Sequence, residues 1–261
     1  MNIPIYQIDA FAEKVFKGNP AAVCPLENWL PDDILQSIAS ENNLSETAYT
    51  VPIQDGYHIR WFTPVAEVDL CGHATLAAAH IVFTELGYKE EIIVFESKSG
   101  VLKVRKNDSM LEMDFPSQPA TNCATPNEIS QAFNAQPLEC LKSEDYIVVF
   151  SNEDEVLSEK PNISLLERLD LRCVIITSKS REYDFVARCF APKFGVDEDP
   201  VTGSAYTQLV PYWSNKLGKS KLHAKQLSRR GGELFCELQG NRVNIAGTAI
   251  KYMEGTIEIK T

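Results

Sequence analysis

R-W-F-T-P-V-A-E-V-D, from Arg60 to Asp69, returns as R-C-F-A-P-K-F-G-V-D, from Arg188 to Asp197. Both fit R-x-F-x-P-x-x-x-V-D, and each runs through a short link into a helix-like stretch that opens on glycine. Gly72-His73-Ala74 leads T-L-A-A-A-H-I-V-F-T-E-L-G to Gly87, and Gly203-Ser204-Ala205 leads Y-T-Q-L-V-P-Y-W-S-N-K-L-G to Gly218. The opening glycines and the closing glycines are each 131 positions apart (72 to 203, 87 to 218). At the same spacing Ser97-Lys98-Ser99-Gly100 matches Ser228-Arg229-Arg230-Gly231. A self-match this long marks a duplication and divides the chain into two halves.

Around the motifs the chain is strand-rich. Ile3 to Ala10 and Ala21 to Cys24 read as strands, separated by a turn at Phe16-Lys17-Gly18-Asn19-Pro20. Pro31-Asp32-Asp33 opens a helix with proline and acids in its first turn, and Asn42-Asn43 closes it. Thr47 to Val51 and His58 to Phe62 are strands. After the first motif helix, Glu91 to Glu96, Gly100 to Lys106 and Met110 to Phe115 alternate as a meander. Pro116 to Pro126, extended to Glu128, reads as a linker. Strands at Tyr146 to Phe150, Cys173 to Thr177 and Asp184 to Phe190 then precede the second motif helix, with a short helix at Ile163 to Leu169. The expected fold is α+β: two pseudo-equivalent domains, 1–115 and 116–261, each a curved, mostly antiparallel sheet wrapped around a central helix. The final strand, near Ile250 to Ile259, is a candidate to cross back and complete the first domain.

A chain of 261 residues can bury a sizeable core in two such domains. The formal net charge of −11 argues against nucleic acid or an anionic membrane as partner. Lys216 to Arg230 is locally basic, and a solvated face is the usual meaning of such a run. No stretch approaches 18 apolar residues and no signal-like segment opens the chain, so a cytoplasmic protein is expected. Seven cysteines, odd in number and without a C-x-x-C, fit reduced thiols and disfavour a zinc site.

The two helix starts are the first candidate site. A helix N-terminus behind glycine offers backbone N–H groups and a partial positive charge to a carboxylate or a developing oxyanion. That attraction is about 0.3–1 kcal/mol when exposed, and donors aimed at developing charge in a dry cleft are worth roughly 3–4 kcal/mol each. Duplicated domains commonly face each other, so both starts are expected to share one cleft. The bland alternative is a pair of glycine-started core helices. The polar neighbours favour the site: Cys71-Gly72-His73 stands at the first start, and Glu198-Asp199-Pro200-Val201-Thr202-Gly203-Ser204, a link three residues longer, at the second.

Glycine-started paired helices with C-G-H resemble the diaminopimelate epimerase and proline racemase superfamily, whose members use one thiol from each half. Here Cys71 takes the first position but Thr202 the second, so a symmetric two-thiol racemase is not expected. The chain is more closely similar to the PhzF family of phenazine-biosynthesis-like isomerases, over essentially its whole length. The resemblance is carried by Gly18-Asn19-Pro20-Ala21-Ala22-Val23, Asn43-Leu44-Ser45-Glu46-Thr47-Ala48, Asp69-Leu70-Cys71-Gly72-His73-Ala74-Thr75 and Asp197-Glu198-Asp199-Pro200-Val201-Thr202-Gly203-Ser204-Ala205. It implies Glu46 as catalytic acid/base, with His73, Asp199, Gly72 and Ser204 around the substrate; Asn19 and Gly203 join them as substrate-binding candidates. It implies no metal or organic cofactor, and a homodimer.

Read without the resemblance, these residues keep their alternatives. Glu46 lies between a helix end and a strand and is either a cleft base or a solvated loop residue. His73, first in its helix, has its imidazolium disfavoured by the helix dipole and reads as a neutral donor or a polar cap. Asp199 before Pro200 is a substrate partner or a turn residue, and Ser204 a binder or a locally bonded first-turn hydroxyl. Cys71 reads first as a small buried apolar residue and second as a reactive thiol at a helix start. The expected activity is a cofactor-independent isomerase moving a proton between carbons of a small carboxylate-bearing metabolite. A racemase using Cys71 as one base, and a non-catalytic binder, are the alternatives.

Overall fold

A computed structural model describes residues 1–259. The chain forms two compact units, one of Met1–Asp114 with the segment from Ala246 onward, the other of Phe115–Ile245.

The first unit runs β1 (Asn2–Ala10), β2 (Asn19–Pro25), α1 (Asp32–Asn42), β3 (Glu46–Ile53), β4 (Gly56–Phe62), β5 (Glu67–Val68), α2 (Gly72–Thr84), β6 (Ile92–Ser97), β7 (Gly100–Asn107) and β8 (Met110–Pro116). β1 pairs antiparallel with β2, β2 runs parallel to β3, and β3 returns antiparallel against β4. β6 lies parallel to β4, and β7 and β8 follow as antiparallel hairpins. α2 is apolar nearly all round, and residues 73–79 are all buried; a helix of that composition belongs inside a core. It packs on β1, β2 and β3. α1 covers other side chains of the same strands, with Leu35, Ile38 and Ala39 against Ile5, Ala22, Cys24, Tyr49 and Phe62. It stops at Asn43, whose φ of 48° is the left-handed turn that asparagine tolerates.

The second unit runs β9 (Thr121–Asn122), α3 (Asn127–Ala132), β10 (Glu139–Lys142), β11 (Tyr146–Val149), α4 (Glu153–Ser158), α5 (Ile163–Leu166), β12 (Val174–Lys179) and β13 (Phe185–Ala191). A 3-10 turn at Pro192–Phe194 leads to β14 (Val196–Asp199), α6 (Gly203–Leu217), β15 (Lys221–Gln226), β16 (Gly232–Gln239) and β17 (Arg242–Gly247). β11 and β12 are parallel, as are β13 and β15; the ladders β9–β10, β10–β11, β12–β13, β13–β14 and β15–β16 are antiparallel. α6 lies against β15 and β16 and is fixed by aromatic packing: Trp213 stacks on Phe185 at 5.6 Å and donates its indole N–H to Thr177 Oγ1. α3, α4 and α5 contribute Ile129, Ala132, Val156 and Leu166 to a second cluster with Val148, Phe150, Ile176 and Phe190. β18 (Ala249–Glu258) pairs antiparallel along all of β1, from Asn2↔Glu258 to Ala10↔Ala249.

The fold is α+β, with mixed sheets, mostly antiparallel. Two local expectations change. The stretch from Pro116 to Glu128 is not a bare linker: it holds β9, which pairs with β10, and the start of α3. Its backbone also feeds α6. Pro211 lacks the N–H that would bond the Thr207 carbonyl, and Gln118 N–H bonds that carbonyl instead at 3.0 Å. The helix expected from Ile163 to Leu169 is one turn, ending at Leu166.

Candidate functional site

The repeated arginine and phenylalanine build the approach to each helix start. Arg60 on β4 grips Glu67 on β5 with both arms of its guanidinium, Nε–Oε1 2.7 Å and Nη2–Oε2 2.9 Å, and lies 5.0 Å over the Phe62 ring. Arg188 on β13 grips Glu198 on β14 in the same way, at 2.7 and 3.0 Å, 5.0 Å over Phe190. A planar fork on a carboxylate fixes orientation as well as distance. The hydrogen bonds and charge of Arg60 hold the Glu67 carboxyl at about 2. A serine of each S-[KR]-x-G turn completes the clamp. Ser99 Oγ bonds the Asp69 carbonyl at 2.7 Å, and Ser228 Oγ bonds the Pro200 carbonyl at 2.8 Å, in each case two residues before the helix cap. The motif is thus scaffolding that delivers a helix N-terminus.

In the first unit this scaffold assembles Asn19, Glu46, Cys71, Gly72 and His73. Gly18 makes the turn into β2 possible: its φ is +65°, and a Cβ there would sit 2.1 Å from the Ala10 carbonyl oxygen. Asn19, fully buried, follows at the strand's first position. Glu46 opens β3 beside it, with Ala21↔Glu46 in register. His73 Nε2 lies 3.0 Å from Glu46 Oε2. Both atoms are buried and neither makes a well-directed hydrogen bond, so they are close enough for an ion pair yet poorly aligned. On the other edge of the ring, Nδ1 is 3.2 Å from Asn19 Nδ2 and 3.5 Å from Cys71 Sγ, while Ser45 Oγ bonds Asn19 Oδ1 at 3.3 Å.

The electrostatics of this group correct one expectation. Burial opposes the His73 imidazolium, but negative charge on Cys71 or Glu46 outweighs it, and His73 is raised well above the usual imidazole range. Burial and the Glu46 charge push the Cys71 thiol upward, so it stays a thiol and Glu46 is the partner that favours His73⁺. The helix dipole alone suggested a neutral imidazole; it is opposed here by a carboxylate the local sequence does not reveal. Carboxylate oxygen, thiol and ring nitrogen lie within 4.8 Å of one another, a donor set worth testing against a cation. Sulfur and carboxylate address opposite ring nitrogens, the sulfur is protonated, and the positive end of α2 opposes a cation. The arrangement suits proton sharing.

The second unit places Asp199, Gly203 and Ser204 around Thr202, the cap of α6. Thr202 Oγ1 makes a short hydrogen bond to Asp199 Oδ2 rather than capping the helix. Gln226, which sequence reasoning missed, is 1% exposed and ties this loop together. Its Oε1 accepts from Thr202 N–H at 2.9 Å and its Nε2 donates to the Asp199 carbonyl at 2.8 Å. Nothing in a lone glutamine at a strand end announces that role. Ser228 was visible as a repeat position without an assigned function. The Ser204 carbonyl accepts from Thr207 Oγ1 at 2.7 Å. His58 accepts from Trp29 at 3.2 Å, and His223 stacks on Phe235 at 4.3 Å, so both have structural partners.

Strand-wrapped helices with polar groups at their starts define the class, a protein of the diaminopimelate epimerase-like fold. At 9% identity and a TM-score of 0.64, a hydroxyproline epimerase from Agrobacterium vitis shares that fold over 98% of this chain and 92% of its own. The family is narrower: residues 8–255 match the phenazine biosynthesis-like protein family, PhzC-PhzF, and the chain belongs to it. It is 48% identical to an uncharacterised isomerase of Pseudomonas aeruginosa, covering 99% of this chain and 100% of the relative. A crystal structure of a PhzF-family protein from Enterococcus faecalis aligns with a TM-score of 0.97 at 45% identity, over 99% of this chain and 100% of the other.

Proposed function

We propose that this chain is an isomerase that relocates a proton between carbons of a small carboxylate-bearing metabolite, with Glu46 as the acid/base. The observation that carries the reading is the buried, poorly aligned Glu46–His73 contact at the start of α2. A carboxylate held beside a helix N-terminus, with its partner on one oxygen, retains the other oxygen for a substrate proton. α2 has no side-chain cap bond at its start, so its first-turn N–H groups are open to an external acceptor. A substrate carboxylate held there would have its neighbouring C–H acidified, and the group protonated by the first transfer is the acid for the second.

The reading with Cys71 as a racemase base draws no support from the site, since burial and the Glu46 charge keep its thiol protonated. Candidate carboxylates that raise the melting temperature would be incubated with the protein in D2O and followed by mass spectrometry. Isomerised, deuterium-labelled product is expected, and Glu46→Gln should lower its rate by about 100- to 10,000-fold with binding retained. Full turnover by Glu46→Gln, or loss at Cys71→Ala alone, would overturn the assignment.

A further inference from the structure

We propose that Cys123 and Cys140 form an oxidisable dithiol, a covalent modification site whose co-reactant is a small disulfide of the glutathione class. The two cysteines follow the Asn122↔Leu141 pair of the β9–β10 ladder. Cys123 N–H bonds the Cys140 carbonyl at 2.9 Å, and the two sulfurs are 3.7 Å apart. Directly opposed antiparallel residues have Cα separations of about 4.5–5.5 Å, inside the range a disulfide spans. Closing the remaining gap to a bond of about 2.05 Å needs side-chain rotation, not strand movement.

The two thiols differ in accessibility, which sets the order of events. Cys123 is half-buried; Cys140 is buried, and burial pushes its thiol up to about 12. Cys123 thiolate attacks the small disulfide, forming a mixed disulfide and expelling one small thiol. Cys140, losing its proton as it attacks, displaces the second small thiol from Cys123. Two protein thiols are oxidised and one small disulfide is reduced to two thiols, so atoms and electrons balance.

The bond would close a collar on α6. Gln118, just before β9, bonds the Thr207 carbonyl at 3.0 Å and accepts from Thr207 Oγ1 at 2.7 Å. Asp145, just after β10, accepts from Gln208 Nε2 at 2.6 Å and donates its N–H to Gln208 Oε1 at 3.1 Å. Cys123 and Cys140 join the two segments that hold the first turns of the helix whose start carries Ser204.

The test incubates the reduced, full-length protein with glutathione disulfide, then traps free thiols and maps the peptides. The expected product is a Cys123–Cys140 linked peptide that dithiothreitol reverses. Cys140→Ser should stop at a mixed disulfide on Cys123, and Cys123→Ser should leave Cys140 unmodified. Oxidised wild-type protein should exchange the Thr207 and Gln208 amides more slowly than reduced. The proposal fails if wild-type protein accumulates the mixed disulfide on Cys123, if only Cys173 and Cys189, whose thiols are also hydrogen-bonded to each other, become linked, or if no folded protein reacts while unfolded chain does. The wild-type map decides the matter even where a serine variant does not fold.

Discussion

Glu46 Oε2 and His73 Nε2, from the first residue of β3 and the second of α2, meet at 3.0 Å in a buried pocket where the helix dipole would otherwise keep the imidazole neutral. Glu46→Gln removes the opposing charge while keeping the shape. The His73 pKa should fall toward the ordinary imidazole range, because the opposite charge that favours the imidazolium is removed. An NMR titration of the four histidines checks this, with the other three as references. The sign for stability follows. A raised folded-state histidine stabilises fully below its unfolded value near 6.5 and loses that contribution as pH climbs through the folded value. Glu46→Gln should therefore flatten the loss of stability on the alkaline side of 6.5. An unchanged His73 titration would sink the pairing.

The Arg60–Glu67 clamp predicts acid sensitivity of the first unit. Glu67 is held at about 2 in the fold against an ordinary 4.5. A depressed carboxylate stabilises above its unfolded value and loses that contribution as pH falls through the folded one, here from about 4.5 to about 2. The side chain is 17% exposed, so about 1–3 kcal/mol is the expected scale after allowing for solvent screening. Glu67→Gln should be less stable at neutral pH, and its urea midpoint should change less than wild type's between pH 5 and about 3. Parallel pH profiles would contradict the clamp.

What the sequence reveals here follows from whether the signal is local. The duplicated R-x-F motif, the glycine-opened helices and the helix stop at Asn42-Asn43 were readable because each rests on residues close in the chain. The pairing of Arg60 with Glu67 is also short-range, yet a charge-bearing repeat does not say which acid it grips; in the second copy the partner is Glu198, ten residues on rather than seven. His73 meets Asn19 and Glu46 only through the β2–β3 ladder, so its environment required the fold. β9 and α3 were hidden because two paired residues and six helical ones leave no periodicity to read.

Gly18 is expected to be intolerant of any side chain. Its φ of +65° disfavours L residues, and an added Cβ would collide with the Ala10 carbonyl at 2.1 Å, a backbone atom paired in β1 that cannot swing aside. Gly18→Ala should cost more than about 1 kcal/mol and move Asn19 off His73 Nδ1. Chemical denaturation reports the first effect, and the His73 ring-nitrogen shifts report the second. A variant as stable as wild type, with His73 signals unmoved, would show that the turn can relax.

Gln226 offers the sharpest test of how the second helix start is held. It is the buried link between β15 and the 199–202 loop, accepting from Thr202 N–H and donating to the Asp199 carbonyl. Gln226→Leu keeps the volume but strands both backbone groups, each at about 1–3 kcal/mol when left buried and unpaired. Gln226→Glu keeps an acceptor for Thr202 N–H, yet sets a second acceptor against the Asp199 carbonyl and a negative charge beside the Asp199 side chain. Urea unfolding should rank wild type above Gln226→Glu, with Gln226→Leu losing the most if orphaned backbone groups dominate. Hydrogen exchange separates local from global damage: amides from 201 to 204 should lose protection in both variants while those of β12 and β13 keep theirs. Uniform loss across the unit would mean that Gln226 serves the core and not the helix start. Unchanged protection at Thr202 would mean that another group satisfies its N–H, and that the loop is set by Ser228 and the Arg188–Glu198 clamp alone.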